Sequence, residues 1–162
     1  MKNPQLKENL TKTLTCVRWN TAMAQASELM EERRIRHLPV IDMDGFVVGI
    51  LSDRDVKRAM DPQRPAFKEG LIVSDFMSWP AIQVDESTSL EKVTEGMIDE
   101  KISAFLVSRG NQVVGIVTSE DLLRLLASML KDNKRNKSLS LSDVLYQPVA
   151  QEFLRELNMV GA

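Results

Sequence analysis

The stretch VVGILSDRD, Val47–Asp55, returns later in the chain as VVGIVTSED, Val113–Asp121. Five of the nine positions are identical, and two changes, Leu51 to Val117 and Ser52 to Thr118, keep the chemistry. Self-similarity of this kind precedes every other reading, because an overlooked repeat misassigns the whole fold. The echo reaches upstream. Val17, Thr21, Glu28, Met30, Ile35 and Val40 match Val84, Thr88, Glu95, Met97, Ile102 and Val107 at a spacing of 67. Between Gly49 and Gly115 the spacing is 66, so the second turn is one residue shorter: DMDG, Asp42–Gly45, faces RGN, Arg109–Asn111. Loops absorb such changes because little packing depends on their length.

Each copy predicts the same elements. A short extended segment, LTCV or AIQV, comes first. A helix follows, with Met23, Ala26 and Met30 on one face and Leu90, Val93 and Met97 repeating the spacing. Asn20 and Ser87 are the expected N-caps of these helices. HLPVI and SAFLV read as buried strands, and FVVGIL and QVVGIV as their antiparallel hairpin partners. Ser52 and Thr118 then cap a closing helix, DRDVKRAM or SEDLLRLL. The order is β-α-β-β-α, twice. One copy of roughly 50 residues buries too little surface to stand alone. The expected fold is therefore α+β: two repeats packed as one pseudo-twofold module with a cleft on each side. The expected divisions are a lead-in over 1–13, a first repeat over 14–60, a connection over 61–80, a second repeat over 81–130, and a basic linker with an amphipathic helix over 131–162.

Composition excludes several classes. The chain of 162 residues is 43% hydrophobic and 27% charged, enough to build a core. A formal net charge of −2 argues against broad electrostatic binding of nucleic acid or anionic membrane. One cysteine and one histidine form no disulfide and supply too few ligands for a Cys/His zinc site. The polar start MKNPQLKENLTKT has no signal-peptide core, and no apolar run reaches a membrane span of roughly 20 residues. A soluble, cytoplasmic protein is expected. DMDG lacks the third Asp and the closing Glu of a calcium loop, and a hairpin turn accounts for it. No nucleophile elbow or P-loop lysine is present, and an enzyme is not expected.

IRHLPVIDMDGFVVGILSDRDV, ISAFLVSRGNQVVGIVTSEDLL and the lead-in VSDFMSWPAIQVDESTSLEKV together resemble a tandem pair of cystathionine-β-synthase (CBS) domains, or Bateman module. The resemblance covers about residues 10 to 130. The first lead-in departs from it: LKENL, Leu6–Leu10, matches VSDFM only loosely, and KTLT replaces the Pro-containing turn. The resemblance implies regulation rather than catalysis, an adenine nucleotide (AMP, ADP or ATP) or S-adenosylmethionine in the clefts, and dimerisation through helical faces. Such pairs often control a neighbouring transporter or enzyme domain. This sequence carries none, so its output is expected through another, unidentified protein. An adaptor of the same fold, with ligand-free clefts and protein contacts through its C-terminal helix, is the alternative.

In the Gly-x-x-[Ser/Thr]-x-x-Asp pattern, Ser52 with Asp55 and Thr118 with Asp121 stand at helix starts. A carboxylate there accepts from ribose hydroxyls, and a hydroxyl with free N–H groups suits phosphate. The resemblance implies such contacts. The same residues also serve as ordinary helix caps. Arg54 and Arg58 could hold phosphates, whereas Glu120 replaces Arg54 in the second copy, so the Asp55 cleft is the expected nucleotide site. For the base, the resemblance implies the strand carrying His37, Leu38 and Pro39, matched by Ala104, Phe105 and Leu106. Pro39, lacking an N–H, is expected to shape an edge. Leu38 and Phe105 read equally as core, and His37 as a hydrogen-bonded residue. Met77 and Trp79 are expected to pack the connection, with contact to a base as the alternative. Arg64 is expected to be solvated. In the tail, SDVLYQPV, Ser142–Val149, echoes SDFMSWPA, Ser74–Ala81, before Pro148 opens a helix carrying Val149, Phe153, Leu157 and Val160. That helix would dock on its own module or on another chain.

Overall fold

In each half, apolar residues recur every third or fourth position and then alternate or run together. Helix and buried strand are the elements that such patterns form. The computed structural model of the chain describes residues 14–60 and 66–132. Leu6–Leu10, Arg64 and the tail helix with Pro148, Val149, Phe153, Leu157 and Val160 lie outside the described residues. The first half contains β1 (Val17–Arg18), α1 (Met23–Arg33), β2 (His37–Ile41), β3 (Val47–Ser52) and α2 (Asp53–Ala59). The second contains β4 (Gln83–Asp85), α3 (Leu90–Asp99), β5 (Ala104–Arg109), β6 (Gln112–Thr118) and α4 (Ser119–Asp132). A 3₁₀ turn, Val73–Asp75, lies between them. The chain divides into two compact units, residues 1–123 and 124–162. Both repeats up to Leu123 belong to the first.

The repeat in sequence is a repeat in register. The sheets have the orders β1-β2-β3 and β4-β5-β6, each with a parallel and an antiparallel pair. His37 pairs with Ser52, and Ala104 with Thr118. Each hairpin slips register just past the glycine, between Val40 and Ile41 and between Val107 and Ser108. The first hairpin turn is closed by Asp42, whose Oδ1 accepts from the N–H groups of Asp44 and Phe46, with Gly45 at φ +88°. That is the turn DMDG predicts.

Met23, Ala26 and Met30 of α1 pack with Leu38, Val40, Leu51, Val56, Ala59 and Val73 in one core. Each buried valine, leucine or methionine among them stabilises the fold by about 1.5–3 kcal/mol, and the alanines by less. In the second repeat Leu90, Val93, Met97, Phe105 and Val107 are buried in the same way. A third cluster joins the halves: Ala104, Leu106 and Ile116 meet Val47 and Ile50. Strand alternation explains the division, since Leu38 and Phe105 face helices while the residues beside them face the other sheet.

Three local expectations are corrected. The N-cap of α1 is Ala22, not Asn20, and it makes no side-chain bond. The first helical N–H, of Met23, instead donates to the Leu71 carbonyl at 2.9 Å, so chain from the connection does what a cap would do. The N-cap of α3 is Ser89, whose hydroxyl accepts from the Lys92 N–H. Ser87 is occupied two residues earlier, donating to Asp85 Oδ1 from both backbone and side chain. Pro39 stands in the central strand, not at an edge. In the second sheet the equivalent Leu106 donates its N–H to Ile82 at 3.2 Å. Pro39 has no hydrogen to give, and the β1–β2 ladder begins only at Val17 and Val40.

Candidate functional site

The site begins with a glycine. At Gly49 a Cβ would lie 2.8 Å from the Ser78 carbonyl oxygen and 2.9 Å from Met77 Sδ. Without one, the lead-in to the second repeat can lie directly on β3. Ile50 and Ser78 exchange both backbone hydrogen bonds, at 3.1 and 2.9 Å. The lead-in thus becomes one wall of a cavity whose other wall is the end of β3 and the start of α2.

The cavity has a volume of about 470 Å³. The first repeat contributes His37, Ile50, Ser52, Arg54 and Asp55. The lead-in contributes Met77, Ser78, Trp79, Pro80 and Ile82, and the second repeat Lys101, Ile102, Ser103 and Ala104. Met77, Trp79, Ile50 and Ile82 form an apolar portion beside hydroxyls, one carboxylate and two cations. Trp79, expected to pack the connection, is 71% exposed where it lines the cavity. Met77 does both: it lines the cavity and packs on the first core.

Asp55 is 7% exposed and is the one buried charged residue among the described residues. Its Oδ2 accepts from the Ser52 backbone at 2.9 Å and the Ser52 hydroxyl at 2.6 Å, while its own N–H donates to Ser52 Oγ at 3.3 Å. This is a reciprocal capping box. Oδ1 accepts from Arg58 Nη2 at 2.9 Å. Thr118 and Asp121 repeat the arrangement at 2.8, 2.6 and 3.2 Å. The capping reading of the motif is therefore met in both copies, and in the first copy the capped pair also lines the cavity.

Other predicted site residues divide. Arg54 lines the cavity, but Arg58 does not; its guanidinium is on Asp55 and the Phe76 carbonyl. Leu38, Pro39 and Phe105 are buried and absent from the cavity lining, with Leu38 in the first core and the Phe105 ring against Gly96. Ala104 is in the lining. Thr118 and Asp121 lie on the opposite repeat and are not part of this cavity.

His37 is half-buried, and its Nε2 lies 2.9 Å from Ser103 Oγ, a side-chain contact across the repeats. Burial pulls its imidazole below the ordinary value; Asp53 opposes that, and Arg36 and Arg54 add to it. Lys101 and Ser103 were not read from the sequence as site residues. A signal for Lys101 exists: it matches Arg34 at the repeat spacing, and both follow a helix with φ near +50° (53° and 52°). Among the described residues no cluster of three or more His, Cys, Asp or Glu could hold a metal ion, and no helix is long and apolar enough to cross a membrane.

The CBS domain family's model matches residues 11–62 and 73–128. Over 128 residues the chain is 30% identical to the L-aspartate semialdehyde sulfurtransferase of Methanocaldococcus jannaschii, covering 77% of this chain and 24% of that protein. It is 26% identical over 135 residues to a CBS domain-containing protein of Dictyostelium discoideum, covering 78% of this chain and 93% of that one. The chain thus spans about a quarter of the first relative and nearly all of the second. The crystal structure of the CBS domain pair of protein MJ0100, in complex with 5′-methylthioadenosine and S-adenosyl-L-methionine, is similar at a TM-score of 0.69 and 28% identity. That match covers 78% of this chain and 98% of that one. The crystal structure of CBSX2 in complex with AMP is similar at 0.66 and 25%, covering 77% and 97%.

Proposed function

We propose, from the premise that this chain belongs to the CBS domain family, that it is a non-catalytic regulatory module which binds an adenine nucleotide between its repeats and signals to a partner protein. One observation carries the reading: a cavity walled by both repeats sets an apolar slot beside Ser52 and Asp55 and beside the cations Arg54 and Lys101. The slot suits a base, the carboxylate suits ribose hydroxyls, and the cations suit a phosphate. Among the described residues Asp55 Oδ1 accepts from Arg58, and a carboxylate oxygen can accept more than one donor. The adenosyl ligands of the two similar structures support the class.

Because the walls come from different repeats, a ligand that prefers one spacing of the walls shifts the repeats toward it. That shift is the signal a partner reads. We place the module in the cytoplasm as a homodimer. The apolar side chains of Leu123, Leu126, Met129 and Leu130, all exposed on α4, support self-association.

Calorimetric titration with AMP, ADP, ATP and S-adenosylmethionine tests the proposal. Binding of at least one phosphorylated adenosine is expected, weakened about tenfold or more in Asp55→Asn. That variant keeps an acceptor for the Ser52 cap but loses the charge. Absence of heat with every nucleotide overturns the reading. The adaptor alternative, acting through the C-terminal helix, then predicts a specific protein partner in its place.

A further inference from the structure

Resting on that reading, we propose that the phosphoryl end of the ligand is gripped from both repeats, by Ser52 and Arg54 on one wall and Lys101 and Ser103 on the other, with His37 between them binding it as the imidazolium, so that uptake of the ligand carries uptake of a proton.

The placement comes from the lining. His37 is directly opposite Ser52 in the β2–β3 register and bonds Ser103 across the repeats. It therefore joins the two hydroxyl-bearing walls of the cavity. The charged groups that act on it are Arg36 beside it in the chain and Asp53, Arg54 and Asp55 at the start of α2, while Lys101 lines the same cavity from the second repeat. Both carboxylates already have cations of their own: Asp53 with Lys57 at 3.3 Å and Asp55 with Arg58 at 2.9 Å. Neither Lys57 nor Arg58 lines the cavity. The cavity is lined by the cations Arg54 and Lys101 and by one carboxylate, Asp55, which Arg58 already pairs. Besides its burial, His37 therefore has Arg54 and Arg36 opposing a further positive charge.

A phosphate dianion reverses the balance. It neutralises the two cations and offers a charge-assisted acceptor to an imidazolium, whose two ring nitrogens then both donate. The pKa of His37 must rise on binding. By linkage, each unit of rise makes the ligand bind tenfold more tightly below the two values than above them. The phosphate's own second ionisation, near pH 6, adds a ligand-borne proton that has to be separated out.

His37 is the chain's single histidine, so one imidazole resonance reports it without assignment by mutation. The experiment is a proton NMR titration of that resonance in the whole protein, alone, saturated with AMP, and saturated with adenosine. The expected result is a midpoint at least one unit higher with AMP and unmoved by adenosine. Lys101→Gln is expected to weaken AMP several-fold and leave adenosine binding unchanged. An AMP-saturated midpoint equal to or below that of the free protein overturns the proposal while leaving nucleotide binding intact. Calorimetry showing no binding of AMP, ADP, ATP or S-adenosylmethionine overturns both, and the NMR comparison is made with whichever phosphorylated adenosine binds.

Discussion

Arg58 donates to Oδ1 of Asp55 at 2.9 Å and so stands as the counter-charge of a buried carboxylate. The guanidinium also reaches the carbonyl of Phe76, in the lead-in just before the residues that wall the cavity. In the proposed site the two arginines of α2 therefore have different tasks, since Arg54 lines the cavity and Arg58, four residues on, does not.

Arg54→Ala and Arg58→Ala separate those tasks. Removing Arg54 takes a charge from the cavity and is expected to weaken AMP about ten- to hundredfold, as for loss of a hydrogen bond to a charged group. Removing Arg58 breaks a pair whose cationic side is 66% exposed, so the stability loss is about 0.2–1 kcal/mol after solvent screening. Its effect on AMP is expected to stay within about threefold. Calorimetry and urea denaturation on both variants read the two quantities.

Ser52→Ala and Thr118→Ala make a matched pair of cap deletions. Each removes a hydroxyl that accepts from the backbone N–H three residues on, and each is expected to destabilise by about 0.5–2 kcal/mol. Only Ser52 lines the cavity, so only its loss should also weaken AMP. Equal effects on binding would show that the capped helix start, and not the hydroxyl, matters to the ligand.

Gly49→Ala tests the close approach of the lead-in. A methyl group at 2.8 Å from the Ser78 carbonyl forces that backbone away or tilts β3. The expected destabilisation is about 1–3 kcal/mol, as for other overpacked sites. Nucleotide binding should fall with it, because Met77 and Ser78 are part of the wall that moves. Denaturation midpoints and an AMP titration check this.

The pH dependence of stability carries a sign fixed by His37. Its imidazole is held below the ordinary value of 6.5, so between those two values the unfolded chain binds more protons than the folded one. Stability is therefore greatest above about pH 6.5 and falls as the pH drops through that window. Tm should decline more between pH 7.5 and 5.5 in the native protein than in His37→Gln. A steeper decline in the variant would contradict the assignment.

Much of this architecture was legible because repetition doubles each signal. Met23, Ala26 and Met30 alone suggest a helix; with Leu90, Val93 and Met97 at the same spacing, one strand-helix-hairpin-helix unit follows. The cap motifs were equally local, since Ser52 and Asp55 settle their bonds within one turn. What stayed hidden depends on contacts distant in sequence. Ala22 caps α1 only because Leu71 arrives to take the Met23 N–H. Ser103 faces His37 although its match in the repeat is Arg36, so the comparison that reveals the fold points away from this pair. Leu38 and Phe105 admit both a base contact and a core place from their composition alone, and strand alternation, which puts them on the helix side, discriminates between the two.

The cavity with one wall from each repeat also bears on descent. A one-repeat forebear could have offered such a hollow only by pairing with a second copy of itself, with the same residues on both faces. Joining two copies in one polypeptide lets each face change without the other, and an imidazole on one side can then meet a hydroxyl on the other.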